Sequence, residues 1–286
     1  MKPLLATLPA VALLAGCSLK TMALRSTAAL LDEGAMAFYE EPDPAFARET
    51  LGAQLKLVEA LLRNDPGDVK LLDLAAQGFG GYSFLFFEEE EPPRAKGFYL
   101  RGRDYALRAL RRRRGALEVE RLELQALERE LKGAGRAELP SMFWAAFNWA
   151  GWINLSKDSS EAVADLPKAV ALMRRALELD PQYHFGGPDL FFGVYYASRP
   201  AILGGDLKKA ARHFSLAKER ANGKFLMSYV LEARYYAVAA QDQALFKSLL
   251  TRALELPSGA LPGARLSDEM AKRRAETLLR RIDEFF

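Results

Sequence analysis

The chain has 286 residues, 50% of them hydrophobic, with 40 basic and 37 acidic side chains and a formal net charge of +3. That near balance gives no dominant basic face of the kind nucleic-acid binders need, while the hydrophobic content suffices for a substantial core. One cysteine and two histidines leave no pair of thiols for a disulfide and few soft ligands for a metal.

The N-terminus carries Lys2, an apolar run from Leu4 to Leu14, and then Leu14-Ala15-Gly16-Cys17. This is the order of a basic segment, a hydrophobic segment and a small-residue cleavage site in a signal peptide. The run falls short of the ~20 apolar residues needed to span a bilayer. It ends in a lipobox, so residues 1–16 are expected to be removed and Cys17 to carry covalent lipid, the one attached group expected. Two or more acyl chains would give stable anchoring. Ser18 rather than Asp after the cysteine points to the outer membrane of a Gram-negative envelope, with the body facing the periplasm. Residues 17–25 read as the tether and 26–286 as one domain. With Cys17 lipidated the body has no free thiol, so cysteine nucleophiles and thiolate metal sites are excluded.

From Ser26 onward the hydrophobic spacing is helical, with no sustained alternation. Leu51, Leu55, Val58, Leu61 and Leu62 recur at three and four, and Asn64-Asp65-Pro66-Gly67 stops the run. A helix is expected over 69–87, another over 94–113, and an additional charged helix over 115–131, with Gly133-Ala134-Gly135 as a linker. Between the first two, Glu88-Glu89-Glu90-Glu91-Pro92-Pro93 reads as a break. Its carboxylates suit a solvated loop better than a metal site, because flexible adjacent acids do not fix a coordination geometry. The Arg111–Arg114 block precedes Gly115. It reads as a basic helix end, favoured by the macrodipole, or as a contact for anionic lipid or an acidic partner.

Ala169–Pro181, AVALMRRALELDP, has the small-residue spacing and Leu-Asp-Pro ending of the second helix of a tetratricopeptide hairpin. A helix follows over 189–198. Asp206 can cap one over 207–220, and further helices are expected over 225–239 and 243–256. Ala176, Ala217 and Ala253 mark corresponding positions at unequal intervals, so the repeats are diverged. The fold class is therefore all-α, with tetratricopeptide-like hairpins stacked into a curved bundle or solenoid.

No HExxH, GxSxG, GxxxxGK or GxGxxG pattern occurs, and an enzyme is not expected. The densest aromatic tract, Met142–Ile153, holds all three tryptophans. Trp144, Asn148 and Trp152 fall at i, i+4 and i+8. They read as one wall of a pocket for an organic ligand or as a core helix, with both possible on different faces. His184, in the loop Tyr183-His184-Phe185-Gly186-Gly187, and the Tyr195, Tyr196 and Arg199 group are further candidate ligand contacts. Arg199 is suited to pairing with a carboxylate. His213 reads as a packing or surface residue. No metal site is expected.

Several stretches together carry a family resemblance: the lipobox, LVEALLRNDPGDVKLLDLAAQGFGGYSF, FYLRGRDYALRAL, MFWAAFNWAGWINLS, and RRALELDPQYHFGGPDLFFGVYY through LGGDLKKAARHFSLA. The chain resembles the TatT family of tetratricopeptide-like lipoproteins associated with tripartite ATP-independent periplasmic (TRAP) transporters. The resemblance implies homo-oligomers, trimers among them, enclosing a pore or cleft. It also implies docking of the transporter's extracytoplasmic substrate-binding subunit, the P component, and handling of an apolar or organic-acid ligand. The alternatives weighed are a scaffold lipoprotein in outer-membrane assembly or envelope maintenance, with the same anchor and repeats but no ligand pocket, and a periplasmic hydrolase using paired carboxylates.

Overall fold

The computed structural model describes residues 34–115 and 117–286, so Cys17 and the signal and tether segments lie outside the described residues. Helices α1 (Pro44–Asn64) and α2 (Val69–Tyr82) form the first hairpin. A π-helical turn, Ser83–Phe87, extends α2 before α3 (Pro92–Arg114). Next come α4 (Leu124–Lys132), α5 (Leu139–Asn154), the short α6 (Ser160–Ala164) and α7 (Leu166–Leu179). The second half holds α8 (Tyr183–Ala197), α9 (Leu207–Arg220), α10 (Leu226–Leu231), a second π-helical turn (Glu232–Ala237), α11 (Gln243–Glu255) and α12 (Arg265–Arg280). No strand occurs among the described residues. The protein is all-α, as the periodicity predicts.

Local chemistry sets many of the boundaries. Asp43, Asp68, Ser159, Asp206 and Asp242 each accept a hydrogen bond from a backbone N–H in the first turn of the helix that follows. Each cap satisfies a donor that the helix itself leaves unpaired.

One expected element is shorter than the sequence suggests. The 115–131 segment contains only a 3-10 turn, Val119–Arg121, before α4 begins at Leu124. Gly115 has φ +52°, which ends α3, and Leu117 and Val119 are buried in the core. Burying those two side chains takes precedence over the helical propensity of the charged residues around them. The Arg111–Arg114 block is likewise not a free basic patch. Arg113 bridges Ser141 (2.6 Å) and Asp73 (2.7 Å), and Arg114 donates to the Gly133 (2.7 Å) and Glu130 (3.0 Å) carbonyls. These bonds pin the end of α3 to α2, α5 and the end of α4.

Among the described residues, three apolar clusters make up the core. One joins α3, α4, α5 and α7, a second joins α1, α2 and α3, and a third joins α8 to α12. The C-terminal α12 links first and last, because its Leu266 packs in the N-terminal cluster while Ala271, Ala275 and Leu278 pack in the C-terminal one. Arg274, also on α12, is 8% exposed. Its guanidinium donates to the Phe84 carbonyl in the first π turn and lies 4.5 Å from the centroid of the Phe84 ring. Glu89 is 3.7 Å away.

Inside the N-terminal half, α2, α3 and α5 meet at Asn148. Its amide donates to the Ala76 carbonyl (3.0 Å) and the Trp144 carbonyl (2.7 Å). Gly80 on α2 and Gly102 on α3 make the room, since a Cβ at Gly102 would lie 2.4 Å from Asn148 Oδ1 and one at Gly80 2.8 Å from it. Gly102→Ala is expected to cost about 1–3 kcal/mol by overpacking, read from urea denaturation. Gly97→Ala, on the exposed side of the same helix with nothing within 4 Å of the new methyl, is expected to stabilise by about 0.5–1 kcal/mol. Equal effects at the two positions would contradict this packing.

Candidate functional site

A cavity of about 540 Å³ lies between the two halves of the chain, within the ~300–1,000 Å³ range typical of small-molecule sites. Its wall is mostly apolar. It takes Leu55 and Leu74 from the first hairpin, Phe143, Trp144 and Phe147 from α5, Leu190, Phe191 and Val194 from α8, and Leu266 from α12.

Three departures from regular helix contribute to this wall. The first π turn supplies Phe84 and Leu85 and delivers Glu88 just beyond it, whose N–H bonds the Ser83 carbonyl in the five-residue π pattern. The second π turn supplies Tyr235. The third is a run of left-handed residues at the start of α8: His184 (φ 48°), Phe185 (φ 60°) and Gly186 (φ 77°). Left-handed backbone is costly for residues with a Cβ, and such strain persists only where surrounding packing imposes it. Here the His184 ring lies 4.9 Å from Trp144 and 5.6 Å from Phe143, and the Phe185 ring stacks on Phe225 at 4.9 Å. The turn thus inserts two rings between α5 and the C-terminal half. Gly186 is required at its end, where a Cβ would meet the Ala217 carbonyl at 3.0 Å.

Of the residues singled out in the sequence, Trp144, His184, Tyr195 and Arg199 line the cavity. Asn148, Trp152 and Tyr196 are not part of its wall. Asn148 is fully buried in the α2, α3 and α5 junction. Trp152 sits under the Arg103 guanidinium, 5.6 Å from its ring centroid. An i to i+4 step advances about 40° around a helix, so the face that starts at Trp144 has rotated away from the cavity by Trp152. Tyr196 stacks instead on His213, at 5.7 Å and 19° between planes. His213 Nδ1 in turn lies 2.8 Å from the buried Asp189, which ties α9 to α8.

The cavity's polar groups are few and separately placed. At the end of α8, Arg199 donates to the Tyr195 carbonyl (2.6 Å) and its guanidinium carbon lies 4.0 Å from the Tyr195 ring centroid. Burial lowers its pKa, and no carboxylate pairs with it among the described residues. Lys157 also lines the wall. On the other side, Glu88 accepts a hydrogen bond from the Tyr99 hydroxyl. Burial raises the Glu88 carboxyl, opposed by that bond and by Arg274. Spacing alone grouped Glu88 with Glu89–Glu91 as one solvated break. In the structure Glu90 and Glu91 do pair with Arg48 at the surface, but the π turn rotates Glu88 inward. No periodicity signal in the sequence marks a π turn, so this residue was not legible. The rim beside Arg199 is apolar and exposed. Ile202 is 92% exposed and Leu203 66%, and Pro200, Leu203 and Val163 continue into the cavity wall.

Residues 40–286 match the TRAP transporter T-component family. The chain belongs to that family. An uncharacterized protein of Treponema pallidum (strain Nichols) is 26% identical over an alignment covering 96% of this chain and 94% of its own length. Membership makes the chain a TRAP transporter component, a role without catalysis. No helix among the described residues is long and apolar enough to cross a membrane.

Burial alone depresses the His184 imidazole to about 4. In the unfolded chain it titrates near 6.5, so as pH falls the unfolded state takes up the proton first. The stability associated with neutral His184 is therefore complete above pH 6.5 and lost as pH falls towards about 4. The melting temperature is expected to drop more steeply over that window in the native chain than in His184→Asn, a residue that tolerates positive φ. Parallel curves would mean that the imidazole is solvated.

Proposed function

We propose that this TRAP T-component is a noncatalytic, lipid-anchored accessory that docks the transporter's substrate-binding P component and passes an apolar or organic-acid ligand through its cavity. The observation that carries this reading is the cavity itself, whose wall includes two π turns and a strained left-handed turn. π turns and strained backbone cluster at functional sites, and a helical scaffold that only holds partners needs none of them. An apolar wall with an unpaired guanidinium at its edge suits a ligand with a hydrophobic body and a carboxylate.

The exposed apolar rim at Ile202 and Leu203 supports docking beside the cavity, since contiguous exposed apolar surface marks interaction sites. Lipid on Cys17 would hold the protein to the outer membrane with this rim in the periplasm. Homo-oligomers, trimers among them, belong to the same reading. The scaffold alternative shares the anchor but assigns the cavity no role.

Crosslinking the protein in its native envelope, followed by mass spectrometry, is expected to recover a TRAP substrate-binding subunit. An Ile202→Asp/Leu203→Asp double variant should lose that crosslink while keeping its helical circular dichroism. Recovery of outer-membrane assembly proteins without that subunit would favour the scaffold alternative. Cys17→Ala is expected to leave the body folded and release it from the membrane fraction, whereas a variant that still needed detergent for extraction would argue against the lipid anchor.

A further inference from the structure

The cavity's inner polar group is left unused by the reading above. Glu88 is half-buried and lines the cavity. The Tyr99 hydroxyl donates to Oε2, while Oε1 has no hydrogen-bond partner among the described residues. Tyr235, on the second π turn, also lines the cavity. Its hydroxyl makes no hydrogen bond with the described residues, although Glu88 is close enough to act on it electrostatically. Two helices are thus distorted at the places that bring a free carboxyl oxygen and a free phenol to one part of an apolar chamber. Both residues are half-buried and line the cavity, so both atoms are available to a ligand.

We propose that Glu88, Tyr99 and Tyr235 form a recognition subsite for a hydroxyl group on an otherwise apolar carboxylic acid ligand. This rests on the cavity being a ligand site. A hydroxyl both donates and accepts, so it satisfies Glu88 Oε1 with its proton and the Tyr235 O–H with its lone pair. An ammonium group would supply donors only. It would also meet Arg274 and Arg234, which already act on Glu88. Arg199 is a separate pole. It lies at the end of α8, donates to the Tyr195 carbonyl and makes no ion pair with Glu88. The ligand class that fits both poles has a carboxylate at one end, a hydrocarbon body and a hydroxyl remote from the acid. Glu88 is then the residue that discriminates hydroxylated from plain chains.

The test is isothermal titration calorimetry of the delipidated full-length protein with palmitic acid and with its omega-hydroxy derivative. The hydroxy acid is expected to bind about tenfold more tightly, the upper range for one net hydrogen bond. Glu88→Met should bring the two acids to about equal affinity by weakening the hydroxy acid alone, and Tyr235→Phe should reduce the preference in part. Glu88→Gln keeps an acceptor for Tyr99 and the shape of the side chain, so it retains a preference and serves as the folded comparison if Glu88→Met is poorly folded. Equal binding of both acids to the native protein would overturn the subsite and leave the cavity reading intact. Binding of neither would overturn the cavity reading and the subsite with it. A preference that survives unchanged in folded Glu88→Met or Glu88→Gln together with Tyr235→Phe would place hydroxyl recognition elsewhere and overturn the assignment.

Discussion

The architecture turns on one buried contact, the Arg274 guanidinium of α12 against the Phe84 carbonyl of the first π turn. A stack of helical hairpins buries its faces between neighbours but leaves its two ends apart. This contact joins residues 190 apart in the chain. It brings the last helix back to the first hairpin, with the Phe84 ring under the guanidinium and Leu266 in the N-terminal core. A guanidinium out of water is tolerated only when its donors and charge are met. The carbonyl, the ring and nearby Glu89 meet those needs from one short segment, so the closure is specific to that segment.

Closing the stack brings the walls of the cavity together, and the departures from helical regularity shape it. A regular α-helix presents a fixed succession of side chains. Inserting a residue into the hydrogen-bond ladder rotates everything after it. At the first π turn this turns Glu88 away from the acidic surface run and towards the interior. At the second it places Tyr235 opposite. The left-handed turn at His184 and Phe185 does similar work by a different route, driving two rings inward at the start of a helix. In each case the backbone departs from its preferred conformation at the cavity wall, whereas the surrounding helices are capped and close-packed.

The resulting chamber combines an extended apolar wall with a few separate polar groups. Its wall is mostly hydrocarbon, and its charged groups Glu88, Lys157 and Arg199 make no ion pair with one another. His184 joins the wall as a neutral ring because burial holds it so. The apolar rim at Ile202 and Leu203 continues outward from the Arg199 side.

The all-α class, most helix boundaries and the Asp206 cap were legible in the sequence, because they depend on residues within a turn or two of each other: apolar spacing, caps and stop signals. The aromatic tract and the His184 loop were visible as unusual composition for the same local reason. Which face of that tract meets the cavity was not, because Trp144 and Trp152 differ only in how α5 is rotated against its neighbours. Nor was the fate of the 115–131 segment, where burial of Leu117 and Val119 overrides local helix propensity. The inward turn of Glu88, the role of α12 in closing the stack and the cavity itself were decided by tertiary packing alone. Each depends on partners far away in the chain, and no local pattern of residues encodes that proximity.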